Sequence, residues 1–130
     1  MFMLVKWFTA LVVVGALIGC AGKQAPIENI RTSLGAGHTD AQVKNAIIKA
    51  GVQRKWIMNE AGPGVIKARQ QARDHVAEAR INYSATGYTI TYESSLNLSA
   101  GGGKIHPNYN RWVRNLDKDI QVNLSAAAIK

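Results

Sequence analysis

Cysteine, acidic residues and long apolar runs are all scarce in this sequence. One cysteine, Cys20, in 130 residues cannot close an internal bridge, which excludes a disulfide-stapled mini-protein. After Lys23 the chain is mixed and polar throughout, which excludes a polytopic membrane protein. No sustained heptad supports a coiled coil, and the length leaves room for one domain, not a multidomain enzyme. Eight acidic residues face sixteen Lys and Arg, a net charge near +8, while 47% apolar content places the chain among folded proteins.

The one apolar run lies at the start. Met1 to Lys6 supplies a positive charge and Trp7 to Ala16 an apolar core, and Leu17-Ile18-Gly19 ends it in small and branched residues. The unbroken stretch from Ala10 to Gly19 is about half of the ~20 residues that a membrane-spanning helix needs, so residues 1–19 are expected to be a cleaved secretory signal peptide. Leu17-Ile18-Gly19-Cys20 resembles the bacterial lipobox. That resemblance implies cleavage between Gly19 and Cys20, a diacylglycerol on the Cys20 thiol and an acyl chain on the new amino group. Such an anchor binds a membrane far more stably than a single acyl chain. Ala21 stands where similar lipoproteins retained at the inner membrane carry Asp, so the resemblance implies the periplasmic face of the outer membrane. Removing residues 1–19 takes away only Lys6 among the charges and leaves fifteen cations against eight acids.

Residues 20–38 are expected to form the lipidated N-terminus and a tether, with Lys23, Gln24, Pro26 and the Gly35-Ala36-Gly37 run offering little to a core. Residues 39–130 are expected to form a small periplasmic α+β domain. Thr39-Asp40-Ala41-Gln42 reads as a capping box, followed by Val43, Ala46, Ile47 and Ala50 at helical spacing and by Gly51 as a stop. Trp56–Glu60 and Val65–Gln71 flank the Ala61-Gly62-Pro63-Gly64 turn. Two alternating strands follow, from His75 to Tyr83 and from Tyr88 to Glu93. Ser99 to Gly103 is expected to be a flexible connection. Pro107 then opens a long helix with a stripe of Tyr109, Trp112, Val113, Leu116, Ile120 and Leu124. The predicted order is α-β-β-β-β-α: a two-layer domain with an antiparallel four-stranded meander and two helices on one face.

Residues 105–116, together with Tyr83, Tyr88 to Tyr92 and Gly64 to Ala68, resemble a family of small proteobacterial outer-membrane lipoproteins of unassigned function. The resemblance brings a location and a fold, and no reaction. There is looser similarity to the small lipoproteins of β-barrel assembly, whose element order differs.

Catalytic patterns are missing. His38, His75 and His106 lie thirty-odd residues apart without Cys-x-x-Cys or His-x-x-x-His spacing, so no metal is expected. No serine sits in a Gly-x-Ser-x-Gly elbow. Asp117 and Asp119 are two apart on a helix and point in different directions, whereas Glu78 and Glu93 fall among Lys67, Arg69 and Arg80 as cross-strand ion pairs. Gly101-Gly102-Gly103-Lys104 fails the phosphate-loop pattern, with Leu98 at the first glycine and Ile105 after the lysine. Export and the lack of an aromatic-basic strand motif argue against nucleic acid.

Two binding sites stay open on sequence grounds. Lys104, His106, Arg111 and Arg114 gather at the start of the last helix, whose free amides favour an anion or a charged partner. Tyr83, Tyr88 and Tyr92, beside Trp56 and Met58, either border a small-molecule cleft or fill the core. The leading expectation is a non-catalytic, membrane-anchored interaction or envelope-assembly module that binds an envelope protein or polymer, needs no cofactor and carries only its covalent lipid. A small-molecule or anionic-ligand domain is the alternative.

Overall fold

The computed structural model describes residues 24–129. The expected signal peptide, the Gly19–Cys20 cleavage site, the Cys20 lipid anchor and Ala21 lie outside the described residues. The elements, in chain order, are β1 (Ala25–Pro26), β2 (Ile30–Ser33), α1 (Asp40–Gln53), β3 (Ile57–Glu60), β4 (Val65–Ala72), β5 (His75–Ser84), β6 (Gly87–Leu96), β7 (Lys104–Ile105) and α2 (Pro107–Ile129).

Helix α1 starts as its capping box dictates. The Thr39 hydroxyl accepts the Gln42 amide at 3.1 Å, the Gln42 side chain accepts the Thr39 amide at 2.9 Å, and Asp40 sits at the positive end of the helix. Val43, Ala46, Ile47 and Ala50 are buried. The expected stop at Gly51 is corrected: the helix runs on to Gln53, and the left-handed residue is Lys55, at φ 65°. Gly51 serves packing instead, because a Cβ there would overlap the Met58 thioether.

The main sheet is antiparallel, in the order β2-β6-β5-β4-β3. The expected meander is present as β3 to β6, with Arg73 in the left-handed region at the β4–β5 turn and a bulge between Glu78 and Ala79. It has a fifth strand, which corrects the four-strand expectation. Strand β2 comes from the segment expected to be a tether and pairs Ile30 with Ile90 and Thr32 with Tyr88. Ile27, Ile30 and Leu34 pack against the core, which is why these residues are held on the domain. The expected flexible connection after Leu98 is also corrected. Gly101 and Lys104 close a backbone turn, the Gln24 side chain bonds the Ser99 carbonyl, and β7 pairs with β1 as a second, two-stranded sheet.

Both helices cover the same face of the sheet, as expected for an α+β two-layer domain. Ile66, Ala68, Ala77, Ala79, Ile81, Tyr88 and Ile90 meet the apolar stripes of α1 and α2 in one core. Each fully buried branched side chain contributes about 1.5–3 kcal/mol. Alanines at the centre of β4 and β5 leave room for the two helices to lie close. Asn110 is a polar group in this core, 1% exposed, and the N-terminal segment satisfies it: its Oδ1 accepts the Glu28 amide at 3.0 Å and its Nδ2 donates to the Pro26 carbonyl at 2.9 Å.

Candidate functional site

The basic residues at the start of α2 have commitments of their own. His106 caps the helix: its Nδ1 accepts the Asn108 amide at 3.1 Å, its carbonyl accepts the Tyr109 amide, and Pro107 has no amide to offer. The amides of Asn108 and Tyr109 are therefore engaged within the cap. Arg111 donates to Asn108 Oδ1 at 2.8 Å. Arg114 grips Glu28 with two bonds, at 2.9 and 2.8 Å, and the Glu28 hydrogen bond and charge raise its pKa further. Lys104 projects from β7, exposed. The structure thus builds a helix cap and an N-terminal clasp from residues that the sequence offers as an anion patch. His106→Ala is expected to cost about 1 kcal/mol, while His106→Asn, which restores a capping acceptor, keeps nearly full stability in urea unfolding. Equal losses for both variants would contradict the cap.

The tyrosine face is core. Trp56 and Tyr88 are each 3% exposed, and Met58, Tyr83 and Tyr92 pack against the buried cluster. Tyr92 meets Tyr109 edge-on, with centroids 5.4 Å apart, and its hydroxyl pairs with Ser95 at 2.7 Å. Beneath this face lies a polar cluster that sequence reasoning missed. Asp117 Oδ1 accepts the Tyr88 hydroxyl at 2.5 Å and the Thr32 hydroxyl at 2.8 Å, while Oδ2 accepts Gln121 at 3.1 Å. Asp119 turns away to Arg54 at 2.6 Å, so the two acids do diverge.

Burial, and then the hydrogen bond to Asp117, push the Tyr88 pKa up; burial does the same at Tyr109, which is fully enclosed. Because the folded state holds these protons more tightly than the unfolded chain, their contribution is complete below pH about 10 and is lost as pH rises further. In an alkaline titration, the phenolate absorbance of Tyr88 and Tyr109 should therefore appear together with unfolding. Ionisation of both while the fold persists would contradict their burial.

The second sheet face is uncovered. Alternation opposite the buried rows puts Arg31, Lys67, Arg69, Arg80, Glu78 and Glu93 on it, with Thr89, Thr91, Asn82 and Asn59 between them. Glu93 forms the expected cross-strand ion pairs, 3.6 Å from Lys67 and 3.9 Å from Arg80, but the pair expected at Glu78 is corrected: its carboxylate accepts the Ser94 hydroxyl at 3.1 Å instead. Arg31 and Arg69 have no ion-pair partner among the described residues.

Two of the three histidines meet. His75 and His106 stack with ring centroids 6.4 Å apart, and the His75 Nδ1 lies 2.6 Å from the Asn97 carbonyl. His38, expected in the tether, lies 3.4 Å from the Leu124 carbonyl. Among the described residues no three potential ligands gather around a metal position, and no helix is long and apolar enough to cross a membrane. No protein-family profile, curated protein or solved structure matches the chain.

Proposed function

We propose that the protein is a non-catalytic interaction module of the bacterial envelope, held at the periplasmic face of the outer membrane by lipid on Cys20, with the uncovered sheet face as its binding surface. The observation that carries this reading is the one-sided cladding of the sheet. Both helices protect one face, and the other presents four cations against two acids among hydroxyls and amides, with the exposed Ile57 and Leu96 near its margins. A face of that charge attracts an acidic polymer of the envelope, through contacts that weaken with salt. The lipobox-like leader supports the address, and the resemblance to small outer-membrane lipoproteins supports the class.

A photocrosslinking residue placed at Asn59, exposed on this face, should capture an acidic envelope glycan in living cells, whereas the same residue at Lys118 on the helix layer should not. Charge reversal at Lys67 and Arg69 should abolish the Asn59 adduct. Capture of a protein instead would reassign the partner, and equal capture from both positions would remove the sheet face from the account.

A further inference from the structure

One end of the open face is hollow. Across β2, β6 and β5, Ser33, Gly87 and Ser84 form one row, and Arg31, Thr89 and Asn82 form the row beside it. Gly87 puts no side chain between the two serines, and a shallow dish of about 340 Å³ opens there. That volume falls near the lower end of the roughly 300–1,000 Å³ typical of small-molecule sites. Side chains would not be tolerated at 87: a Cβ would lie 2.8 Å from the Thr32 carbonyl oxygen. Strand spacing sets Arg31, Thr89 and Asn82 across roughly 10 Å, the scale of one sugar ring with a substituent.

The lining chemistry is selective. Hydroxyls and an amide surround the Arg31 guanidinium; Asn82 Oδ1 also accepts Arg80 Nε at 3.5 Å, Ser84 Oγ accepts the Thr86 amide at 3.2 Å, and the two acids of the face are engaged elsewhere, Glu93 with Lys67 and Arg80 and Glu78 with Ser94. Arg31, exposed and without an acidic partner among the described residues, can take an anion in a two-pronged contact. We propose that this dish binds a sugar bearing a single anionic group, with Arg31 on the anion and Ser33, Asn82, Ser84 and Thr89 on the ring hydroxyls. The proposal rests on the sheet face being the binding surface and narrows it to one end of that face.

The test is amide-resolved NMR on the full chain in detergent micelles, titrated separately with glucuronate, glucose 6-phosphate and glucose. Saturable shifts confined to residues 31–33, 82–84 and 87–89 are expected with at least one anionic sugar. The preferred one tells whether the natural group is a carboxylate or a phosphate. Neutral glucose should bind at least about tenfold more weakly, and Arg31→Gln should weaken the anionic sugar by a similar factor with amide dispersion intact. Ser84→Leu, which fills the dish without touching Arg31, should also abolish the shifts. Shifts that stay linear in sugar concentration, or equal binding of glucose, would overturn the dish. If the dish fails while the Asn59 adduct persists, only the sugar proposal falls; loss of that adduct tells against the sheet face itself.

Discussion

Asp117→Ala is expected to lower stability by about 3 kcal/mol, a fall in Tm of roughly 10 °C or more for a domain of this size. The carboxylate is the shared acceptor of two hydroxyls that reach it from different strands, Thr32 from β2 and Tyr88 from β6. Truncation leaves the Tyr88 hydroxyl inside the protein with only the Asp117 backbone carbonyl, at 3.3 Å, and leaves Thr32 without its acceptor. A buried donor that loses its partner costs about 1–3 kcal/mol, more than the net gain from forming the bond. Asp117→Asn keeps an acceptor and should cost distinctly less. Tyr88→Phe combined with Asp117→Ala should cost less than the sum of the two, because they share one interaction. Chemical denaturation of the four variants, Tyr88→Phe alone among them, measures this, and an Asp117→Ala loss below about 0.5 kcal/mol would contradict the cluster.

Removing residues 1–34 is expected to unfold the domain, whereas removing 1–23 leaves it folded. The longer cut strips β2 from the sheet edge, takes Ile27, Ile30 and Leu34 off the core and breaks the Glu28–Arg114 clasp. It also orphans both ends of the buried Asn110 amide and frees the Tyr92 amide, which Asn29 accepts at 3.1 Å. Lost apolar burial and unpaired polar groups together come to about 5 kcal/mol or more, comparable with the ~5–15 kcal/mol that holds a whole domain. Amide dispersion and far-ultraviolet dichroism of the two truncations distinguish the cases. A native spectrum from the 1–34 deletion would restore these residues to the status of a tether.

The contrast between these elements shows what the sequence makes legible. Local chemistry was readable: Thr39 and Gln42 announce a capping box, Tyr109 to Leu124 repeat at helical spacing, and the Gly-Pro-Gly turn joins β3 to β4. Strand β2 was not, because four residues with one large apolar side chain, flanked by Gly35 and Gly37, carry too little periodicity. Its place is set by packing of Ile27, Ile30 and Leu34 and by pairing with β6, more than fifty residues downstream. The Asp117 cluster was hidden for the same reason. Helical spacing gave the direction of each aspartate, but the hydroxyls that Asp117 serves lie 85 and 29 residues away. His106 misled in another way, since a ring nitrogen that caps a helix looks, in sequence, like one poised to bind an anion.

The central claim, a folded interaction domain fixed to a membrane through one modified sulfur, is tested most directly by the mass of the mature N-terminus together with fractionation of Cys20→Ser. The account predicts a chain that begins at Cys20 and carries diacylglycerol and an amide-linked acyl group, and a substituted chain that leaves the membrane fraction. An unmodified thiol on the isolated protein, or a Cys20→Ser chain that still sediments with lipid, would contradict it.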